Sequence, residues 1–395
     1  MRVLHVYKNY FPDSQGGLEE TIRQICRSCS HFGVRNNVFT LTPNSRARIL
    51  PRKEARVYRS SRSLQIASCD ISFSALPQFQ ELLQRTDLVH YHFPWPMADL
   101  LHLLGRPRIP SLVTYHSDIV RQKKLLMLYR PLKKLFLNRV QSIVATSPNY
   151  FATSDVLSRY SEKVDVIPIG VDEASYPETD PNLVRSLRET VGEGFFLFIG
   201  VMRYYKGLHI LLDAIQGTNL QVVIAGAGPA EEELKAHAAN LGLNNVLFMG
   251  HVSDAEKMAL YKLARAVVFP SCLRSEAFGV TLVEGAMQGL PLISTEIGTG
   301  TSYVNKDGES GIVVPPADPK RFREAMLKLA NDPELARELG KGARQRYEAN
   351  FTGELMGRRY VELYKRLLGG NGGRQTTEEG KEESAHETHE TTRKN

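Results

Sequence analysis

At 395 residues the chain is too long for one ordinary hydrophobic core, so two domains are expected, each able to bury a core of its own. Hydrophobic residues make up 42% and charged residues 24%, near globular averages, and no apolar run reaches spanning length, which argues against a disordered chain and against a helical membrane protein. The net charge is +7, and its excess is unevenly spread.

The amino terminus, Met1 to Tyr7, lacks the apolar core and cleavage site of a signal peptide and reads as a first strand. Gly16 and Gly17 follow it, a glycine pair that lets a phosphate approach the backbone in front of a helix over Leu18 to Phe32; a tight turn accounts for two glycines equally well. Cys26 and Cys29 form a C-x-x-C inside that helix. With no second pair to complete a metal site, they read as ordinary helix thiols, and four cysteines in all fit a cytosolic, reducing setting.

Further strands are expected at Asn37 to Leu41, Asp87 to His92, Ser111 to Tyr115, Ser142 to Thr146 and Val164 to Pro168. Alternation puts His90 and His92 on one face of a strand, but spacing places no third metal ligand. His116, in Tyr-His-Ser-Asp, ends a buried strand at a crevice position, where it can hydrogen-bond a sugar or simply be satisfied by neighbours. From Arg121 to Arg139 the chain carries seven Lys or Arg residues and no acid, interleaved with leucines. Such a basic amphipathic region suits an anionic membrane surface or is a solvated helix face; no nucleic-acid-binding module accompanies it.

A hinge is placed near Asp172, ahead of the polar segment around Pro177 to Pro181. A second series of strands runs from Phe195 to Gly200, Leu220 to Ala225, Val246 to Met249, Ala266 to Phe269, Leu290 to Ser294 and Gly311 to Val314. Alternation of strands and helices through both halves makes the class α/β, with two doubly wound sheets. Arg203 and Lys206 follow the first strand of the second half, where two cations can neutralise a diphosphate. Gly226 lies in Ala-Gly-Ala-Gly-Pro after the next strand.

After the strand ending at Phe269 come Glu276 on a loop and Glu284 on a helix over Val280 to Gly289. The amides of Phe278, Gly279 and Val280 open that helix and suit a diphosphate or hydroxyls. Carboxylates only accept hydrogen bonds, so Glu276 suits sugar hydroxyls and Glu284 a ribose diol; a solvated loop Glu and a helix-surface Glu are the plain alternative. Closing helices are expected at Asp318 to Leu329, Pro333 to Asn350 and Glu354 to Leu368, and the tail from 369 to 395, with no large apolar side chain, is expected to be disordered.

Taken together and in this order, these motifs resemble the retaining family-4 glycosyltransferases of the GT-B fold from Met1 to about Leu368, with Ile167 to Asp172 as the junction motif. The resemblance implies an acceptor-binding Rossmann-like domain over 1–172, a nucleotide-sugar-binding one over 173–353, and a closing helix over 354–368 that packs back on the first. It gives Glu276 the donor sugar, Glu284 the ribose, Arg203 and Lys206 the diphosphate, the glycine loop at Gly16 and Gly17 the phosphates, Gly226 a part in donor binding, and His116 the transferred sugar. One departure is Val201, where many family members carry the arginine; Arg203 then substitutes or Lys206 acts alone.

The Arg-Tyr-Tyr-Lys-Gly wording at 203 to 207 is similar to bacterial mannosyl- and rhamnosyltransferases of lipopolysaccharide O-antigen assembly. By resemblance the donor is a GDP-linked hexose, mannose ahead of rhamnose, no cofactor or metal is required, and the acceptor is a polyprenyl-diphosphate-linked glycan. The enzyme is then peripheral on the cytoplasmic face of the inner membrane, held through Arg121 to Arg139. A sugar-nucleotide epimerase of the same fold and a non-enzymatic basic membrane- or nucleic-acid-binding protein are the rival readings.

Overall fold

The structure, a computed structural model, describes residues 1–43, 49–66, 69–119 and 123–369. Most of the predicted tail, and Arg121 of the basic region, lie outside the described residues. The first half builds β1 (Arg2–Val6), β2 (Arg35–Thr42), β3 (Ile49–Pro51) and β4 (Arg56–Ser61), a small hairpin of β5 (Leu64–Ile66) and β6 (Cys69–Ile71), then β7 (Leu88–Phe93), β8 (Ser111–Tyr115), β9 (Ser142–Ala145) and β10 (Val164–Val166). Eight of these form one sheet in the order β10-β9-β8-β7-β1-β2-β4-β3, parallel except where β3 meets β4. The second half builds β11 (Phe196–Ile199), β12 (Val222–Ala225), β13 (Val246–Gly250), β14 (Ala266–Phe269), β15 (Leu292–Thr295) and β16 (Gly311–Val314). They form a six-stranded parallel sheet in the order β13-β12-β11-β14-β15-β16. Both are doubly wound, as the α/β reading expects.

The central strands are short apolar runs, Phe-Leu-Phe-Ile in β11 and Ala-Val-Val-Phe in β14, and every residue in both is buried. That is the pattern of parallel sheet covered on both faces by crossover helices. Six residues of β7, Leu-Val-His-Tyr-His-Phe, are likewise all buried, two histidines included. The strands absent from the sequence reading are three-residue β3, β5 and β6, too short to show a period, and polar β4, which reads Arg-Val-Tyr-Arg-Ser-Ser and is held partly by Arg59, which pairs with Asp13 at 3.0 Å.

The chain passes between the halves twice, and the two passages are hydrogen-bonded side by side. Val171 N donates to Phe351 O at 2.9 Å and Gly353 N donates to Val171 O at 2.8 Å. The last helix, Gly353–Leu368, therefore lies on the first sheet. Gly357 sits so close to the helix Gly17–Ser30 that a Cβ would meet the Ser28 carbonyl carbon at 2.7 Å. Tyr360 and Tyr364 from this helix are fully buried, and their hydroxyls are satisfied by Thr114 at 3.0 Å and His90 at 2.8 Å. One buried cluster runs from Val3, Ile25 and Leu112 through these tyrosines to Leu197 and Leu282, joining the halves.

Candidate active site

A cleft of about 380 Å³ opens between the carboxyl ends of the two sheets. Such crevices are where ligands bind in open α/β sheets, because loops leave the strands there with helix amino termini pointing inward. The first half contributes Tyr7 to Asn9, Ser14 to Glu19, His116 and Thr146. The second contributes Gly200, Arg203 and Lys206 after β11, and Ser275 to Thr281 after β14.

Gly279 begins the helix Val280–Met287 at φ +93, a backbone conformation that side chains rarely adopt. A Cβ there would also meet Leu282 at 3.1 Å and Phe269 at 3.2 Å. No side chain caps this helix start, and while Leu282 N donates to Gly279 O at 2.9 Å, the N–H groups that precede it from Phe278 to Thr281 are available to an anion in the cleft. Phe278 lines the cleft but is otherwise buried and stacks edge-on against Phe351, so its backbone is what it offers a ligand. On the opposite wall Gly16 starts the helix Gly17–Ser30, again without a side-chain cap, and Glu19 stands beside it, holding Ser14 at 2.8 Å.

Lys206 and Glu276 are brought together although 70 residues separate them: the Lys206 ammonium donates to Glu276 Oε2, and Ser271 supports the same oxygen at 3.4 Å. Lys206 also lies 4.8 Å above the Phe269 ring. Arg203 is exposed; its carbonyl accepts from Lys206 N at 3.0 Å, and among the described residues no hydrogen bond or ion pair holds its guanidinium. Val201, the position of the expected departure, also lines the cleft. A second hollow of about 460 Å³ opens on the other side of Arg203, along the helices Leu208–Ile215 and Glu231–Asn240.

His116 lines the cleft and is otherwise buried. Burial lowers its pKa to about 3, so the ring is neutral near pH 7. Its Nε2 lies 3.0 Å from His92 Nδ1. His90 and His92 gain the neighbour that spacing alone did not supply, for His5 is the register partner of His90 on β1. Nitrogens of His5, His90 and His92 lie within 4.8 Å of one another, as metal ligands do, yet all six ring nitrogens already have hydrogen-bond partners.

Two expected residues do not line the cleft. Glu284 is buried one turn further along the Val280 helix, where its carboxylate accepts from Lys257 at 2.7 Å, Tyr176 at 2.8 Å and Tyr261 at 3.0 Å. Burial works against the Lys257 ammonium, yet Glu284 and Asp254 together hold its pKa above the ordinary value. Gly226, at φ +128, packs against the Gly200 carbonyl, which a Cβ would meet at 2.1 Å. Its missing side chain serves loop packing rather than a ligand. The sequence reading gives no site role to Thr146, a strand-end cleft residue whose buried hydroxyl has no partner among the described residues, nor to Lys257, Tyr176 and Tyr261. Nothing local in the sequence marks these positions.

Residues 15–175 match the model of Glycosyltransferase Family 4 and residues 180–346 that of Glycosyl transferases group 1. The D-rhamnosyltransferase WbpZ of Pseudomonas aeruginosa is 54% identical over 89% of this chain and 92% of its own length. This chain belongs to the glycosyltransferase family. The O-antigen chain mannosyltransferase C of Escherichia coli is 48% identical over 93% of this chain and 99% of that one. Sucrose-phosphate synthase from Thermosynechococcus elongatus superposes with a TM-score of 0.78 at 21% identity, over 94% of this chain and 100% of that one. The fold of this glycosyltransferase is accordingly GT-B, two Rossmann-like halves facing one cleft.

Proposed function

We propose that this glycosyltransferase moves a mannosyl or D-rhamnosyl group from a GDP-linked donor to a sugar hydroxyl of a lipid-linked glycan in O-antigen synthesis, with retention at the anomeric carbon. The observation that carries this reading is the meeting of Arg203, Lys206, Glu276 and the uncapped Phe278 to Val280 turn on one cleft wall. The two relatives that cover almost the whole chain, a D-rhamnosyltransferase and an O-antigen mannosyltransferase, support the sugar class.

In the proposed reaction the bond between the anomeric carbon and the leaving phosphate oxygen breaks, and a new one forms to the acceptor oxygen on the same face. The acceptor proton passes to the leaving phosphate. Glu276 is engaged by Lys206 and, with donor bound, by sugar hydroxyls, and Glu19 by Ser14, so the reading gives neither carboxylate the role of nucleophile and takes same-face attack over a covalent intermediate. Lys206, Arg203 and the helix-start amides stabilise the charge that grows on the diphosphate, the work a divalent ion does elsewhere. Glu276 exchanges Lys206 for sugar hydroxyls once the diphosphate draws the ammonium away. Glu284 shares the helix face of Val280, since residues four apart stack on one side, so a ribose lying over Val280 reaches it by taking the place of the Tyr176 hydroxyl. Closure of the halves about the paired passages at Val171 and Phe351 excludes water from the bound donor.

We further propose that the enzyme works on the cytoplasmic face of an anionic membrane. Among the described residues no helix is long and apolar enough to cross one. The helix Lys123–Arg139 instead leaves Leu128 79% and Met127 64% exposed, beside exposed Arg130 and Lys134, while Tyr129, Phe136 and Leu137 anchor its other side. Apolar side chains inside a basic rim fit the boundary between acyl chains and acidic headgroups.

The test is acceptor-dependent release of nucleoside diphosphate from a panel of nucleotide sugars, run in excess chelator. Release with a GDP-linked hexose is expected. Release without acceptor, or full inhibition by chelator reversed by a divalent ion, would overturn the reading in its donor chemistry or its metal independence respectively.

A further inference from the structure

Asn36, His5, His92 and His116 make an unbroken chain of side-chain hydrogen bonds running from the foot of the helix Gly17–Ser30 to the cleft. The links are 3.2 Å from Asn36 Oδ1 to His5 Nε2, 3.1 Å from His5 Nδ1 to His92 Nε2, and 3.0 Å from His92 Nδ1 to His116 Nε2. All four residues are buried, His5 and His92 completely. Adjacent imidazoles stack at centroid separations of 5.4 and 5.3 Å. His90 lies 4.3 Å from His92 ring to ring and is itself held at both nitrogens, by Tyr364 at 2.8 Å and Thr114 at 2.7 Å.

The direction of the chain follows from its far end. The Asn36 amide nitrogen donates to Cys26 O at 2.8 Å and to Ser30 Oγ at 3.0 Å, and the Ser30 hydroxyl donates to the same carbonyl at 2.8 Å. Turning the amide over would set its oxygen against a carbonyl, so Asn36 Oδ1 must face His5 as an acceptor, and His5 Nε2 must carry the proton. A neutral imidazole has one N–H and one lone pair. His5 Nδ1 is then bare and accepts from His92 Nε2–H, and His92 Nδ1 is bare and accepts from His116 Nε2–H. Burial keeps the rings neutral: it lowers His5 to about 4 and His92 well below its ordinary range.

We propose that Asn36, His5 and His92 are positioning residues that lock His116 in the Nε2–H tautomer, so that its bare Nδ1 faces the cleft as an acceptor for a hydroxyl of the bound sugar. Among the described residues Nδ1 receives no hydrogen bond, and His116 is a cleft-lining residue. A ring left free to exchange tautomers would present an N–H there for part of the time, and a sugar hydroxyl would then meet a donor where it needs an acceptor. The identity of the ligand as a sugar rests on the transferase reading above; the direction of the chain does not.

The experiment is a long-range proton–nitrogen correlation spectrum of the whole protein with nitrogen-labelled histidine, with His116 assigned by its loss in His116→Gln. The expected pattern is a protonated Nε2 and a bare Nδ1 at His5, His92 and His116 alike. His92→Phe removes the acceptor for His116 Nε2–H and should give a mixture of His116 tautomers with about a tenfold fall in kcat/KM for transfer, the worth of one hydrogen bond. His92→Gln, which can donate to His5 and accept from His116, should restore both readouts. A protonated Nδ1 at His116 in the wild-type spectrum, an unchanged His116 tautomer in folded His92→Phe, or metal bound stoichiometrically to these histidines would each overturn the proposal. The wild-type spectrum decides the direction whether or not a variant folds. Absence of transfer by the wild-type protein would instead refute the transferase reading and leave the tautomer result intact.

Discussion

Replacing Lys206 by methionine removes the cation at the cleft wall while keeping its aliphatic length. In the proposed reaction that ammonium leaves Glu276 for the diphosphate as charge develops, so its loss falls on the transition state. Removing one preorganised donor to a developing anion costs about 10²–10³ in kcat, and Lys206→Met should fall in that range while the KM for donor moves much less. The same change orphans the Glu276 carboxylate. The two side chains are 12% and 11% exposed, at the edge of an open cleft, and Ser271 still supports one oxygen. The stability cost is therefore put below that of a fully buried pair, at about 2 kcal/mol, or a drop in Tm of about 4–8 °C at roughly 2–4 °C per kcal/mol for a domain of this size. Initial-rate measurement of nucleoside diphosphate release, with a melting curve on the same sample, separates the two effects. A folded Lys206→Met enzyme with kcat within threefold of wild type would refute the role given to this lysine.

Gly279→Ala should destabilise by about 1–3 kcal/mol, because alanine is strained at φ +93 and its methyl presses on Leu282 and Phe269; equal melting temperatures would contradict this. Stability should also depend on pH through the buried histidines. Their folded pKa values are depressed, so the unfolded chain binds more protons below its ordinary histidine pKa of 6.5, and stability is lost as pH falls from 6.5 toward 4. His5 alone, fully buried, should remove about 3 kcal/mol by pH 4, and a flat unfolding free energy across that window would count against it. Met127→Asp with Leu128→Asp should abolish co-sedimentation with anionic vesicles, whereas Arg130→Gln and Lys134→Gln should each weaken it by about 1 kcal/mol and reduce its salt sensitivity. Undiminished vesicle binding in the aspartate variant would remove the membrane face.

What the sequence discloses here is local. Buried parallel strands such as β11 and β14 are continuous apolar runs, and the turns that follow them carry glycine, cations and acids within a few residues, so Arg203, Lys206, Glu276 and Gly279 can be placed on the cleft before any fold is known. Polar β4 carries no such signal, since its Arg59 is stabilised by Asp13 from a distant loop. The non-local pairings are equally silent: Lys206 against Glu276, and Glu284 held by Tyr176, Lys257 and Tyr261. His5, Asn36 and His92 meet only because β1, β2 and β7 lie side by side in register, with Leu4 opposite both Asn37 and Val89. Spacing along one strand exposes His90 and His92 but cannot reveal which neighbour completes them.

The central claim, transfer from a nucleotide sugar with retention through same-face attack, is tested most directly by the anomeric configuration of the product. Nuclear magnetic resonance of the first glycoside formed from a GDP-linked hexose should show the configuration that the sugar had in the donor. An inverted linkage would contradict the account.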